Sequence, residues 1–258
     1  MQTWTLPKII KSRDHKQGAI NSIANHQENE KSLNIIYKIV SSIVRFGTSI
    51  LCRIDAPDLN KLPMEGPLIV YSNHTGQIEV AVLFGHLQPR RITGWAKIEA
   101  WDKAFLNWLF NLWGLIPVRR GEVDTSALRK AMTALSDGYI FGIAPEGTRN
   151  VTGHLKRAHP GAVMLAIHSG VPLVPLAHWG GENFLKNLAR FKRTDFHVRV
   201  GDPICLNVDG VRMTREIRQQ IVDEMMFRLA ELLPPAYRGE YEKVTENVKV
   251  YTDAGKIQ

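Results

Sequence analysis

The sequence predicts an α/β fold, a central and largely parallel or mixed sheet flanked by helices and preceded by an N-terminal amphipathic helix. Three observations carry this. Short apolar runs such as Leu68-Ile69-Val70-Tyr71 and Tyr139-Ile140-Phe141-Gly142-Ile143-Ala144 recur through the middle of the chain, the texture of strands buried on both faces. Between them lie segments whose apolar residues recur at helical spacing. The two kinds of segment alternate, as they do in βα units.

Residues 1–31 are polar and without clean periodicity, a lead-in that lacks the apolar core of a secretion signal. In residues 32–56, Ile36, Ile39, Val40, Ile43, Phe46, Ile50 and Leu51 fall at helical spacing, with Lys38, Ser41, Ser42, Arg45 and Ser49 between them. A membrane span needs about 20 mostly apolar residues, and Lys38 and Arg45 interrupt this one. Two readings remain: an amphipathic helix lying in a lipid interface, or a helix that covers the core of its own domain.

Residues 57–205 form the core domain. Pro57 to Pro67 is a punctuated linker. The Leu68 strand runs into Ser72-Asn73, with His74 in the turn and a helix over Ile78 to Leu87. A strand is expected over Arg91 to Trp95. A helix over Lys97 to Trp113 carries Trp101, Phe105, Trp108, Phe110 and Trp113, either as core or as an apolar groove or interface. A strand over Gly114 to Val118 ends at Arg119-Arg120-Gly121. The helix Thr125 to Ser136 buries Ala127, Leu128, Ala131, Met132 and Leu135. The Tyr139 strand then runs into Pro145-Glu146-Gly147-Thr148-Arg149. A helix follows over Pro160 to Ser169 with Pro160 in its first turn, then strands over Leu173 to Ala177 and Phe196 to Val200. Residues 206–258 hold a helix over Met213 to Leu233 and a polar tail from Pro234.

Composition is that of a globular protein, 44% hydrophobic and 22% charged. A net charge of +8 and a pI near 9.5 call for an acidic partner: an anionic membrane, a phosphorylated substrate or nucleic acid. No nucleic-acid-binding motif is present. Cys52 and Cys205 show no metal-ligand spacing, which fits free thiols in a reducing compartment. His154, His159, His168 and His178 match no zinc pattern, so no metal is expected.

The chemistry concentrates at two strand ends. A histidine at the carboxyl end of a strand faces the crevice where open α/β sheets bind ligands. Five positions on, Glu79 lies off the face of a continuous helix, but a turn at Thr75-Gly76 would fold its carboxylate back onto the imidazole. Such a pair makes histidine a better general base; the other reading of these residues is a histidine that merely caps the strand. Gly-x-Ser-x-Gly is absent and no residue has the setting of a covalent nucleophile.

Four blocks in order, Asn73-His74 with an acid five residues on, Ile116-Pro117-Val118-Arg119-Arg120, Pro145-Glu146-Gly147-Thr148-Arg149 and Val171-Pro172-Leu173-Val174-Pro175, resemble the glycerolphosphate acyltransferase family, and within it the 1-acylglycerol-3-phosphate acyltransferase branch. The resemblance covers roughly residues 65 to 205. It implies acyl transfer from a thioester, coenzyme A or acyl carrier protein, to the hydroxyl of a lysophospholipid, with His74 as base and no further cofactor. Glu79 stands where the family has aspartate. The resemblance also implies that Lys97, Arg120 and Arg149 meet the acceptor phosphate, that Glu146, Gly147 and Thr148 belong to the same substrate site, and that the protein works as a peripheral or monotopic protein on the cytoplasmic face of a membrane. Against it stand a membrane-surface binding protein with weak turnover and an acyltransferase for another hydroxylated lipid.

Overall fold

The structure, a computed structural model, describes residues 33–76, 78–119, 124–243 and 251–254. The chain divides into two units, Met1–Val40 and Ser41–Gln258. In the first, residues 33–40 are helical and expose Leu33, Ile35, Ile36 and Ile39. The second unit holds the sheet.

Its first element, α1 (residues 41–51), leads into β1 (Cys52–Asp55). After the linker come β2 (Leu68–Ser72), α2 (Ile78–His86), β3 (Ile92–Lys97), α3 (Ala104–Leu112), β4 (Ile116–Val118), α4 (Thr125–Ser136) and β5 (Ile140–Ile143). Then follow α5 (Gly161–Ser169), β6 (Leu173–Trp179), α6 (Phe184–Leu188), β7 (Thr194–Val200), β8 (Ile204–Leu206), α7 (Arg215–Glu231) and β9 (Thr252–Ala254).

One mixed sheet results, in the order β1-β7-β6-β2-β5-β3-β4, with β8 on β6 and β9 on β8. The five strands from β6 to β4 run parallel. Strand β7 is antiparallel to β6, and β1 runs parallel to β7. The central strand β2 lies between β5 and β6, and its Leu68, Ile69, Val70 and Tyr71 are all buried because each of its faces meets packed side chains. From β2 the chain crosses to β3 on one side and later to β6 on the other. The carboxyl end of β2 is therefore the point where strand order reverses, the place an open α/β sheet offers a ligand.

Local chemistry accounts for the helix ends. Asp124 caps α4 through the N–H of Ala127 at 2.9 Å, and Thr214 caps α7 through that of Ile217. Gly170, at φ 63°, ends α5 in the left-handed conformation. Arg90 is buried and donates to the carbonyls of Pro63, Glu65, Gly66 and Gly138, which fastens the linker to the start of β5.

Several expectations need correction. Residues 52–55 are a strand, not part of the segment 32–56 read as an interface helix: Cys52 and Ile54 alternate with Arg53 and Asp55, and the whole run pairs with Thr194 to His197 of β7. The helix expected from Lys97 splits, since Lys97 ends β3, Ile98–Asp102 form a 3-10 turn, and α3 starts only at Ala104. Its aromatics divide accordingly: Trp113 is buried against Phe84, with ring centroids 4.5 Å apart, whereas Phe105 and Trp108 are exposed. Pro160 is the N-cap of α5 rather than a first-turn residue. The segment after Pro234 is not a free tail. The Tyr241 hydroxyl accepts from the N–H of Ala158 at 3.0 Å, the N–H of Leu155 donates to the Tyr237 carbonyl at 2.9 Å, and β9 pairs with β8.

Strands β3 and β5 approach closely at Gly94 and Gly142, where a Cβ on Gly94 would lie 2.5 Å from the Gly142 carbonyl oxygen. Backbone on both sides leaves no flexible group to yield. Gly94→Ala should therefore cost about 1–3 kcal/mol, the range for overpacking, and lower the calorimetric Tm by several degrees. An unchanged Tm would show that the sheet can open at this point.

Candidate active site

The site is built at the carboxyl ends of β2, β5 and β6. Where β2 ends, the Asn73 side chain takes over the role of a strand neighbour. Its Nδ2 donates to the His178 carbonyl at 2.7 Å and its Oδ1 accepts from the His178 N–H at 3.0 Å. The ring of His178 returns the contact, Nε2 lying 2.6 Å from the Asn73 carbonyl oxygen. A carbonyl can only accept, so Nε2 carries the proton. Burial pushes the pKa of His178 down, and the ring, stacked on Phe196, stays neutral.

This clamp directs the main chain at His74 outward. The His74 N–H donates to Glu146 Oε1 at 3.0 Å, and the His74 carbonyl accepts from the N–H of Asn150 at 2.7 Å. The turn at Thr75 and Gly76 then brings α2 back, as its sequence requires, and Glu79 Oε1 lies 2.6 Å from His74 Nδ1 and 2.8 Å from the Gly76 N–H. Burial by itself would raise the Glu79 pKa. The hydrogen bonds to His74 and to the Gly76 N–H outweigh it and bring the pKa down to about 2. An ionised carboxylate only accepts, so His74 holds its proton on Nδ1 and presents the Nε2 lone pair outward. The His74 side chain keeps 19% of its surface exposed while that of Glu79 keeps 3%, which makes the histidine the reachable member of the pair.

Glu146 is tied to the backbone of the site. It is buried and binds two backbone N–H groups, His74 through Oε1 and Lys156 through Oε2 at 3.1 Å. Burial pushes its pKa up against these two bonds. Gly147 turns the chain at φ 66°, where an L side chain is strained and where a Cβ would meet the His159 ring at 3.1 Å. Thr148 and Arg149 follow, both exposed. The Arg149 guanidinium has no hydrogen bond or ion pair among the described residues, so it does not brace the loop through Glu146.

The remaining cations fall differently. Lys97 closes β3 and is half-exposed, its Nζ 3.0 Å from Glu99. Arg119 is exposed at the end of β4, and Arg120 lies outside the described residues. Sequence reasoning misses Asn150 and the role of His178. Asn150 is buried, and its side chain holds Thr152 and the His154 carbonyl. Its one legible signal is its place directly after Arg149. His178 figures in the sequence only as a poor metal ligand.

Comparison with known proteins points to acyltransferases. Residues 53–179 match the family model described as Acyltransferase. The chain is 27% identical over 170 residues to the 1-acyl-sn-glycerol-3-phosphate acyltransferase of Bacillus subtilis (66% of this chain, 82% of that one). To the Pseudomonas aeruginosa protein of the same name it is 26% identical over 186 residues (70% and 71%). Its fold matches the crystal structure of the 1-acyl-sn-glycerophosphate acyltransferase of Thermotoga maritima with a TM-score of 0.59 at 20% identity, over 79% of this chain and 81% of that one.

The carboxylate of Glu79 provides a check on the pair. Its folded pKa of about 2 lies below the ordinary 4.5, so the unfolded chain binds this proton more readily. Its contribution to stability is complete above 4.5 and is lost as pH falls towards 2. In calorimetric scans the Tm advantage of the wild type over Glu79→Gln should shrink steadily across that window. A constant gap would mean that Glu79 is not held ionised by His74. The residues that match the acyltransferase family, 53–179, are those that carry the His74–Glu79 pair and the Glu146 loop.

Proposed function

We propose that this protein transfers a fatty acyl chain from an acyl thioester to the free hydroxyl of 1-acylglycerol-3-phosphate, forming phosphatidate. The observation that carries the reading is the His74–Glu79 pair, with Arg149, a cation unpaired among the described residues, directly preceding the Asn150 whose N–H binds the His74 carbonyl. The names of the relatives point to the same acceptor.

In this mechanism the acceptor hydroxyl gives its proton to His74 Nε2 as its oxygen attacks the thioester carbonyl carbon. The imidazolium that forms is stabilised by Glu79, whose charge is already in place and needs no reorganisation. Collapse of the tetrahedral intermediate breaks the carbon–sulfur bond, and the leaving thiolate takes the proton back from His74. Arg149 supplies charge-assisted bonds to the acceptor phosphate. Its reach follows from the loop, because the next residue, Asn150, is hydrogen-bonded to the backbone of His74. Glutamate in place of aspartate does not loosen the pair, which stands at 2.6 Å, so the reading of a weak, binding-only relative loses its motive.

We infer further that the protein works on the cytoplasmic face of a membrane as a peripheral or monotopic protein. Among the described residues no helix is long and apolar enough to cross a bilayer. The exposed Ile43, Phe46 and Ile50 of α1 instead give an apolar face suited to the interface. Both cysteines are unpaired, in keeping with a reducing side.

Two measurements test the chemistry. His74→Gln should lower kcat about a hundredfold or more, the contribution typical of a general base, with the protein still folded at the assay temperature by circular dichroism. Near-normal turnover would overturn the assignment. Arg149→Ala should lower kcat/KM for lysophosphatidate about ten- to a hundredfold, the equivalent of roughly 1.5–3 kcal/mol for a bond to a charged group, and leave monoacylglycerol almost untouched. Equal losses on both acceptors would remove Arg149 from phosphate recognition.

A further inference from the structure

The hairpin that joins β6 to β7 has a composition that the acyl-transfer site does not use. Residues 184–193 contain Lys186, Arg190, Lys192 and Arg193 and no acidic residue. The same segment exposes Leu185, Leu188 and Phe191, three positions apart, and Phe191 is 99% exposed. Its backbone is left-handed, at φ 53°, a conformation an aromatic residue adopts at a cost. The tip is nevertheless well tied. The Asn187 carbonyl accepts from the N–H groups of both Arg190 and Lys192, at 3.0 and 2.9 Å, and the Asn187 side chain donates to Thr194 at 3.2 Å. Lys186, Arg190 and Lys192 are exposed and have no ion pair among the described residues.

Its position in the fold adds to this. The hairpin leaves β6 at Trp179, the same end of the parallel strands from which His74 emerges. Arg193 donates to the carbonyls of Ser49 and Cys52, at 2.7 and 2.6 Å, which fixes the hairpin to the end of α1, where Ile50 and Leu51 are exposed.

We propose that this hairpin is a second membrane contact: Phe191, with Leu188 and Leu185 behind it, enters the headgroup region of an anionic bilayer while Lys186, Arg190 and Lys192 meet lipid phosphates. A ring held fully in water by a well-bonded tip has no folded-state partner, and a bilayer interface is where an aromatic ring among cations is favoured. The absence of acid in the segment matches an anionic lipid surface, to which each nearby basic residue adds about fivefold in affinity. The contact rests on the reading of α1 as an interfacial helix but extends it. With α1 alone the domain could rotate about the helix, whereas a second contact fixes which face of the sheet end meets the lipid.

The test uses the full chain and vesicles of phosphatidylcholine alone or mixed with phosphatidylserine. Phe191→Gly suits the left-handed backbone and removes only the ring. It should lower co-sedimentation with the mixed vesicles about tenfold, and Arg190→Gln/Lys192→Gln should do so by a similar factor that high salt abolishes. In Phe191→Trp, the difference in fluorescence from the wild type should shift to the blue with mixed vesicles and be quenched by brominated acyl chains. Turnover of a short-chain acceptor dispersed as monomers should be unchanged in Phe191→Gly, while turnover of vesicle-borne acceptor falls. Wild-type vesicle affinity in Phe191→Gly would overturn the proposal, as would a signal from the introduced tryptophan that responds to acyl carrier protein and not to lipid. If α1 itself does not hold lipid, residual binding will survive mutation of Ile43, Phe46 and Ile50, which separates that failure from this one. Absence of wild-type acyl transfer would count against the enzymatic reading and leave the vesicle result standing.

Discussion

The site depends on a carboxylate removed from water. Glu146 is 2% exposed, and a buried carboxylate is tolerable only where hydrogen bonds replace its hydration. Here each oxygen takes a backbone N–H, one from the turn after β2 and one from the loop after β5, segments more than seventy residues apart in sequence. The two bonds locate His74 relative to Lys156 without using any atom of the imidazole. Glu79 makes a useful contrast. Both acids are buried, yet Glu79 is held far on the ionised side and Glu146 is not, because only Glu79 has a histidine ring for a partner. One acid places the backbone and the other tunes the ring.

Asn73 solves a related problem. In a parallel sheet the last residues of a strand lose their neighbour when the adjacent strand turns away, and buried N–H and C=O groups cannot be left unpaired. Strand β2 turns away at His74, while β6 continues through His178 to Trp179. The side-chain amide of Asn73 offers a donor and an acceptor, as a peptide does, and it completes the ladder for His178 after the Asn73 main chain has left. His178 in return occupies the Asn73 carbonyl. Its Nδ1 and the second oxygen of Glu79 are both buried without a partner among the described residues. The ring of His178 is thus polar and neutral, and a neutral ring there leaves the negative charge of Glu79 to His74.

What the sequence made legible follows from the range of each interaction. The central strands were readable because burial on both faces forces runs such as Leu68 to Tyr71, a purely local pattern. His74 and Glu79 were readable because a turn of two residues is enough to join them. Strand β1 was not, because only its pairing with β7, about 140 residues away, distinguishes Cys52 to Asp55 from the end of a helix. Asn150 and His178 act through backbone atoms of distant residues, and nothing in their own neighbourhood in sequence records those partners. The strap after Pro234 looked like a polar tail because it docks by hydroxyls, Tyr241 on Ala158 and Tyr237 on Glu182, rather than by an apolar stripe. The aromatics around α3 divide between core and solvent because helical spacing puts Phe105 and Trp108 on one face and Trp113, five residues after Trp108, on another.

The placement of charge follows from the same sheet. All of the strand ends that carry the site face one way, so Arg149 on the β5 loop and the basic hairpin after β6 are set on the same end of the molecule as His74. An acceptor of the proposed kind has a phosphate in the headgroup layer and a hydroxyl only a few bonds away. If the hairpin meets that layer, the end of the sheet that carries His74 and the Arg149 loop is turned towards the lipid. The lipid then need not leave the bilayer, and the cost of exposing its acyl chain to water, about 0.8 kcal/mol per CH₂, is never incurred. On this proposal a buried pair at a strand end, with cations on the same end of the sheet, serves a lipid that stays in its bilayer without a deep acceptor pocket.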